Sequence, residues 1–267
     1  MKKHQFLLLS VAALVVLFAA CSSEKKTEET AEQPAATATP SGGTTPIDQA
    51  TVGEVTGKVA FEGAKPKQAR IMMDQDPVCV KKHSGPVYAE DNAVNDNGTL
   101  PNVFVFVKSG AEKYAIPKPT EAVTLDQDGC MYKPHVLGLM VGQTLNVIST
   151  DATTHNIHPM PKDNREWNES QPPGAAPIEK TFARPEIMIP VKCNQHPWMK
   201  AYIGVVSNPF FAVTGSDGTF TLKGLPPGDY TIEAWSAIGG GEGQSQEMKV
   251  TVPAKGSAKA DFTFKAS

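Results

Sequence analysis

Short apolar segments recur along residues 51–267 and are separated by turn-forming Gly, Pro, Asn and Asp. Residues 54–61 alternate between the two faces expected of a strand, and residues 103–107 form a continuous apolar run typical of a buried strand. Further strands are predicted at residues 137–148 (two strands, broken at 141–143), 186–192, 202–206, 210–214, 219–222, 230–235, 247–252 and 258–264. Close spacing of short strands predicts an all-β chain built from β-sandwiches, and not alternating βα units.

The N-terminus has the pattern of an export signal. A lysine pair at positions 2 and 3 precedes an apolar run over residues 6–20, which is short for a membrane span. The run ends at Cys21 and resembles the lipobox of bacterial lipoproteins, although Phe18 stands where leucine is usual. The resemblance implies a signal peptide at 1–20 and a lipid on Cys21 that anchors the protein to the bacterial membrane, facing the periplasm. If the cell is Gram-negative, Ser22 after the cysteine favours the outer membrane. An ordinary signal with a coincidental cysteine is the alternative.

Residues 21–50 contain almost no large apolar side chain. Such a segment buries too little surface to offset its ordering entropy, so a disordered tether is predicted. The formal net charge of the whole chain is -3. The chain has no surplus of basic residues, so a nucleic-acid partner is not expected.

The C-terminal residues 207–267 carry a second recognisable pattern. Residues 214–220 and 222–234 resemble the carboxypeptidase regulatory-like, or transthyretin-like, β-sandwich, and residues 54–63 resemble its opening strand. The resemblance implies that residues 51–99 pack with this C-terminal sandwich. The part of the chain between them would then be inserted into that sandwich or packed against it edge to edge.

Cys193, His196 and Met199 follow one another at intervals of three residues. A thiolate, an imidazole and a thioether on one short loop are three of the four ligands of type 1 copper, which adds a second histidine. His155 follows a predicted strand and is the candidate for that ligand. If Cys21 is lipidated, three cysteines remain, and an odd number in an exported protein leaves one thiol for another role.

The His155-Asn156 pair and the Cys-x-x-His-x-x-Met loop together resemble cupredoxins of the amicyanin and plastocyanin type. The resemblance covers residues 100–206 and implies a Greek-key sandwich with one copper ion held by His155, Cys193, His196 and Met199. It also implies that Asn156 braces the ligand loop and that His196 lies near the surface as the electron port. The chain departs from these families because more than sixty residues follow Met199.

Other interpretations of these residues remain open. Cys193, His196 and Met199 are structural in one alternative, and a zinc site is less favoured because methionine is a poor zinc ligand. Cys79 and Cys130 are predicted to form a disulfide. The alternatives are a second metal site that adds His83 and His135, or two free buried thiols.

The function predicted from this set is a membrane-anchored one-electron carrier that exchanges electrons with periplasmic redox proteins. No catalytic constellation accompanies the copper ligands, so the protein is not expected to be an enzyme. Copper storage or delivery by the same residues is one alternative. A cell-surface binding module with a degenerate cupredoxin part is the other.

Overall fold

The computed structural model describes residues 43–265, which form 19 strands and one short helix. The predicted all-β fold class is confirmed. No helix among these residues has the length and apolar character needed to cross a membrane. The predicted signal peptide, the predicted lipidation residue Cys21 and most of the predicted tether lie outside the described residues.

The strands are short, and most of them form antiparallel pairs. Their bounds are β1 Gly53–Glu62, β2 Arg70–Ile71, β3 Val87–Tyr88, β4 Phe104–Ser109, β5 Val123–Gln127, β6 Tyr132–Lys133, β7 Val136–Met140, β8 Leu145–Ser149, β9 His155–Pro159, β10 Glu169–Gln171, β11 Ile178–Lys180, β12 Glu186–Lys192, β13 Lys200–Val206, β14 Phe211–Val213, β15 Thr219–Leu225, β16 Gly228–Ser236, β17 Gln244–Val252, β18 Ser257–Lys259 and β19 Phe262–Lys265. The helix α1 is Pro77–Lys81.

The first and last strands of the described chain build one sandwich, which we call the host sandwich. One of its sheets has the order β15-β1-β18, with β19 also paired to β1, and the other has the order β14-β4-β16-β17. Alternate residues of the two sheets meet in one apolar cluster, which includes Val55, Phe220 and Phe262 from the first sheet and Val105 and Ile232 from the second. The host sandwich is therefore assembled from strands far apart in sequence.

Strands β5 to β13 form a second sandwich, the inserted sandwich, between β4 and β14 in the chain. Its sheets have the orders β10-β9-β12-β13-β7 and β11-β8-β5-β6. A second apolar cluster fills the space between them, with Leu125 and Val147 from one sheet and Ile157, Val191 and Ile203 from the other. The chain thus shows insertion, one of the two arrangements anticipated for this region.

Strand β4 is buried on both faces and joins the two sandwiches. Val105 points into the host core, whereas Phe104 points into a third cluster shared with the inserted sandwich. Gly138 on β7 and Gly204 on β13 are direct partners across their strand pair, and Phe104 packs against both. Because these positions have no side chain, the aromatic ring lies directly on the backbone of the sheet.

Several predictions made from the pattern alone need adjustment. The segment predicted as one strand at residues 258–264 is two strands, β18 and β19, which pair in succession with β1. The strand predicted within the copper-binding region at residues 103–107 belongs to the host sandwich through its pairs with β14 and β16. The predicted domain ranges 51–99, 100–206 and 207–267 themselves stay a prediction, as does the likeness of the host sandwich to the transthyretin-like module.

Residues 70–88 form a segment that we call the cap, made of β2, α1 and β3. Met73 and Cys79 of the cap are buried in the core of the inserted sandwich, so this part of residues 51–99 does not pack with the host core. At the N-terminal side, the Thr45 N–H donates to the Lys113 carbonyl at 3.1 Å, and Ile47 packs on the host core. Residues 45 and 47, which fall within the range predicted as a tether, therefore contact the host sandwich.

Replacing either glycine of the pair under Phe104 by alanine should destabilise the protein. A Cβ at Gly204 would lie 2.6 Å from Phe104 Cε1, and one at Gly138 would lie 2.5 Å from Phe104 Cε2. We expect Gly138→Ala and Gly204→Ala each to lower the free energy of unfolding by about 1–3 kcal/mol, the usual cost of overpacking. Urea unfolding measures this difference. Gly85→Ala is the matched control because a Cβ at Gly85 meets open space, and an equal loss there would contradict the packing argument.

Candidate metal centre

Cys193, His196 and Met199 lie on the connection between β12 and β13. Cys193 follows Lys192, the last residue of β12, and Met199 precedes Lys200, the first residue of β13. Two backbone hydrogen bonds close this loop: the Cys193 N–H donates to the Met199 carbonyl at 3.3 Å, and the Met199 N–H donates to the His196 carbonyl at 2.9 Å. The spacing of three residues therefore brings the three side chains onto one tight turn.

Strand register places His155 beside this loop. His155 is the first residue of β9, and β9 pairs antiparallel with β12 so that His158 lies opposite Lys192. Counting back along β9 from this pair brings His155 opposite the ligand loop. The buried hydroxyl of Tyr132 donates to the carbonyls of Asn156 (2.5 Å) and Lys192 (3.1 Å), which ties the ends of both strands together.

The two histidines and the cysteine converge in a buried site. His155 Nδ1 lies 2.9 Å from His196 Nδ1, and Cys193 Sγ lies 3.8 Å from His196 Nδ1. A ligand atom from each of the three residues lies within 4.8 Å of the other two. His155 is fully buried, Cys193 is 2 % exposed and His196 is 5 % exposed. Met199 is also fully buried and belongs to the same apolar cluster as Cys193.

Asn156 fastens the loop to β9. Its Oδ1 accepts a hydrogen bond of 2.7 Å from the Asn194 N–H, and its backbone N–H donates to Cys193 Sγ at 3.5 Å. Its Nδ2 group donates to Asn168 Oδ1 at 2.8 Å, which fixes the orientation of the amide. The Asn156 side chain thus holds Asn194, the residue that follows Cys193. This contact is the one expected if Asn156 braces the loop.

Each histidine donates its outer N–H to a carboxylate. His155 Nε2 lies 3.0 Å from Asp151 Oδ2, and His196 Nε2 lies 3.1 Å from Asp76 Oδ2. A hydrogen bond from one ring nitrogen decides which nitrogen is left for a metal, and carboxylate partners of this kind orient metal-binding histidines. The two Nδ1 atoms therefore face the space beside Cys193 Sγ.

The buried Asp151 carboxylate has three further donors. The backbone N–H groups of Gly129 and Cys130 donate to it at 2.9 and 2.7 Å, and Lys82 Nζ lies 3.0 Å from Oδ1. Burial acts to raise the pKa of Asp151. Hydrogen bonds from His155, from the Cys130 backbone and from Lys82 outweigh burial and hold the pKa well below its ordinary value. Asp151 is accordingly an anion at neutral pH.

His155 and Cys193 also stabilise each other's charged forms. Burial disfavours both charged forms, but hydrogen bonds to Asp151 and Cys193 raise the pKa of His155 to about 9. Hydrogen bonds from His155 and from the backbone N–H of Asn156 overcome burial and lower the pKa of Cys193 to about 6. The thiolate, which is the form of cysteine that binds metals, is therefore favoured at neutral pH.

The donor set fits a type 1 copper ion. With the pKa of His155 raised to about 9, a proton lies between the two Nδ1 atoms at neutral pH, and these atoms are 2.9 Å apart. Without that proton both Nδ1 atoms would present lone pairs, which would repel each other at this distance. A proton or a metal ion between them removes this repulsion. Two imidazole nitrogens and one thiolate, with a buried thioether on the same loop, are the ligand types of type 1 copper. Cys193 is the one free cysteine among residues 43–265.

Cys79 and Cys130 form a disulfide with a Cα–Cα distance of 5.5 Å. The two histidines of the alternative second metal site, His83 and His135, make hydrogen bonds to other groups. His83 Nε2 is 2.7 Å from the Gly129 carbonyl oxygen, and His135 Nε2 is 3.1 Å from Asp91 Oδ1. Because both sulfurs belong to the disulfide, neither cysteine is a thiolate that could bind a metal.

The expectation that His196 is exposed at the surface is wrong, whereas its role as the electron port stays a prediction. His196 as a whole is 5 % exposed, and Asp76 of the cap covers the outer edge of its ring. His158, three residues beyond His155, is not one of the converging side chains. Its Nε2 lies 2.5 Å from Glu166 Oε1, and its Nδ1 lies 3.2 Å from the side-chain oxygen of Asn194. Sequence reasoning missed both Asp76 and Asp151. The one local signal for Asp151 is its place four residues before His155, and no local signal marks Asp76.

Comparison with known proteins finds limited structural likeness. No protein-family model matches the chain, and no curated protein matches it. A copper-containing nitrite reductase from Thermus scotoductus SA-01 overlaps 38 % of this chain and 25 % of its own, at 23 % identity and a TM-score of 0.30. The chain thus spans about a quarter of the length of that reductase.

Two small copper proteins overlap a similar part. A Cu(I) amicyanin variant covers 32 % of this chain and 81 % of its own, at 23 % identity and a TM-score of 0.28. A purple cupredoxin from Nitrosopumilus maritimus covers 31 % of this chain and 97 % of its own, at 21 % identity and a TM-score of 0.27. At TM-scores this low, the function must be argued from the residues of this chain.

Asp151→Asn should strongly destabilise the metal-free protein at neutral pH. Asparagine offers one acceptor oxygen where the carboxylate offers two, and it lacks the charge that pairs with Lys82. Breaking a buried charged network of this kind typically lowers the free energy of unfolding by about 3–5 kcal/mol. Chemical unfolding at pH 7 measures the loss. Asp126→Asn is the control, because burial raises the pKa of Asp126 and its charge gives the fold no comparable support. Equal effects of the two variants would contradict the role given to Asp151.

Proposed function

We propose that this protein is a one-electron carrier that holds one copper ion in a type 1 site formed by His155, Cys193, His196 and Met199. The observation that carries the proposal is the convergence of His155 Nδ1, His196 Nδ1 and the Cys193 thiolate in a buried site. Cys193 and the two histidines would supply the strong ligands, and Met199 the weak axial ligand. When bound, copper would supply the reversible change of one electron between Cu(I) and Cu(II).

The surroundings of the ligands favour a site that keeps its shape. The loop is closed by backbone hydrogen bonds, Asn156 fastens it to β9, and each histidine ring is held at its outer nitrogen. Groups that are fixed before the electron arrives need little rearrangement when the charge of the site changes. Small rearrangement supports electron transfer as the task of the site.

The burial of the candidate ligands also argues against the two alternative functions, copper delivery and a binding module. Copper delivery requires that the ion pass to an acceptor, and the covered His196 and the fully buried Met199 favour retention. A degenerate cupredoxin part that serves only as a binding module would not need the complete ligand set with its two carboxylate partners. The carrier is therefore the function that these contacts support best.

We further propose that the carrier is a lipoprotein on the periplasmic side of a bacterial membrane. Lipidation of Cys21 would anchor it there, and the segment from Cys21 to the first contacts of the fold near Thr45 would serve as the tether. Its partners would be periplasmic redox proteins that donate and accept single electrons, and no bond chemistry is assigned to the site.

Full-length protein with one equivalent of Cu(II) should show the intense visible absorption of a thiolate bound to Cu(II). Cys193→Ser should abolish this band because a hydroxyl does not replace the thiolate. His155→Gln should weaken copper binding by at least about tenfold, because loss of a direct ligand should cost no less than loss of a group that only orients one. Visible absorption and a copper titration measure both effects.

His158→Gln is the matched control for His155→Gln, because it changes a histidine on the same strand that is not one of the converging side chains. It should retain the band and the affinity. A colourless wild-type protein, or a band that persists in Cys193→Ser, would rule out the type 1 site.

Lipidation of Cys21 has a separate test. Cells grown with labelled palmitate should incorporate the label into the wild-type protein and not into Cys21→Ser, because the thiol is the point of attachment. Gel analysis of the purified protein measures the label, and Ser23→Ala serves as a neighbouring control. Label that is absent from the wild type, or unchanged in Cys21→Ser, would show that the cysteine is not lipidated.

A further inference from the structure

The cap places a carboxylate on the edge of His196 that the inserted sandwich leaves open. Asp76 Oδ2 lies 3.1 Å from His196 Nε2 and accepts a hydrogen bond of 2.7 Å from the Thr153 hydroxyl. Asp76 Oδ1 accepts from the Val78 N–H at 2.8 Å, which makes Asp76 the N-cap of α1. Oδ1 of Asp76 therefore caps the helix, and Oδ2 accepts the hydrogen bond from the His196 ring.

The two histidines differ in what supplies their carboxylate. Asp151, the partner of His155, belongs to the inserted sandwich itself and lies four residues away in the chain. Asp76, the partner of His196, lies 120 residues away and reaches the ring only because the cap docks there. The orientation of His196 thus depends on a segment outside the strands that carry the ligands.

The Cys79–Cys130 disulfide fixes the cap at this point. Cys79 is in α1, three residues after Asp76, and its sulfur lies within 4.8 Å of ligand atoms of Asp76 and His196. The sulfur of Cys130 lies within 4.8 Å of ligand atoms of Asp151 and His155. The disulfide therefore runs between the two carboxylate–histidine pairs and joins the segment that holds one pair to the turn that holds the other.

A second contact joins the same turn to the ligand loop. Trp198 Nε1 donates to the Cys130 carbonyl at 3.0 Å, and the indole lies against His196 with ring centres 5.1 Å apart. His196 is thus enclosed by Asp76 on its outer nitrogen and by Trp198 on its ring. Only the inner nitrogen, Nδ1, faces His155 and Cys193.

We propose that Asp76 is a positioning residue for His196 and that the Cys79–Cys130 disulfide holds Asp76 in that place. By accepting the Nε2–H, the carboxylate directs Nδ1 toward the metal position, and its negative charge favours Cu(II) over Cu(I). This inference rests on the proposed copper site. Its test therefore has one arm that needs no metal.

Asp76→Ser is the variant to use. Serine is a good N-cap and retains an acceptor for the Val78 N–H, but it is too short to reach His196 as well. Asp74→Ser is the matched control, because it removes the same charge from an exposed position two residues away. Both variants are made in the full-length chain, and their circular dichroism is compared with that of the wild type.

The metal-free arm measures exchange of the His196 Nε2–H with solvent by ¹⁵N NMR. A proton on Nε2 that is hydrogen-bonded to Asp76 and covered by the cap should exchange slowly in the wild type and in Asp74→Ser. In Asp76→Ser we expect exchange at least about tenfold faster, since the hydrogen bond to a charged acceptor that protects the proton is lost. The Cys79→Ser/Cys130→Ser double variant should show the same acceleration, and adding Asp76→Ser to it should change little further, because both changes remove one contact.

The copper arm measures the reduction potential. Removal of the Asp76 charge should raise the ratio of Cu(I) to Cu(II) affinity by about tenfold, which equals 59 mV for a one-electron couple. Asp74→Ser should move the potential far less, because its charge is exposed and screened. A purely structural role of Asp76 would alter stability without this separation between the two variants.

The outcomes separate the two hypotheses. A wild-type protein that binds copper, with exchange and potential unchanged in Asp76→Ser, would overturn the positioning role and leave the proposed function standing. A protein that binds no copper would overturn the proposed function, and with it the role of Asp76 toward a metal, even if the exchange rate depends on Asp76. Fast exchange restricted to Asp76→Ser and the disulfide variants, with a raised potential, supports the inference.

Discussion

The buried carboxylate of Asp151 is the point on which the centre depends. It accepts hydrogen bonds from two successive backbone N–H groups at Gly129 and Cys130, from the ring of His155 and from Lys82 of the cap. An anion removed from water is costly unless it is paired and hydrogen-bonded, so these donors hold one another in place as much as they satisfy the charge. The turn that carries Cys130, the strand that begins at His155 and the cap are thereby fixed to one group.

Local sequence spacing was enough to predict that the three candidate ligands lie on one turn, and more distant contacts were not predictable in this way. Cys193, His196 and Met199 lie on one turn because a strand ends just before them and another begins just after, which their spacing already indicates. His155 could be named as the candidate for the fourth ligand from its place after a predicted strand, and the structure brings it beside Cys193 and His196. Asp76 could not, since it reaches His196 only through docking of the cap, and nothing in the sequence around Asp76 specifies that contact.

In the overall fold, too, local patterns were predictable and distant contacts were not. The apolar run at residues 103–107 correctly predicted a strand buried on both faces, because such strands lack polar alternation. It did not indicate which sheets cover the strand. The pairs of β4 with β14 and β16 place it in the host sandwich, while Phe104 rests on Gly138 and Gly204 of the inserted one. Strand pairing between residues more than a hundred positions apart is a long-range property, and hydrophobic periodicity carries no information about it.

The cover over His196 changes how the proposed carrier would work. A bare imidazole edge offers a partner a short path to the metal, but it also exposes a ligand to water, whose dipoles must reorient when the charge of the site changes. Here a carboxylate and a disulfide-bonded helix replace that water, and fixed groups need no such reorientation. The same cover lengthens the path for any partner that approaches along the ring of His196. The arrangement therefore favours a site that changes charge with little rearrangement, and it places the cap, and not the imidazole, at the surface that a partner would meet there.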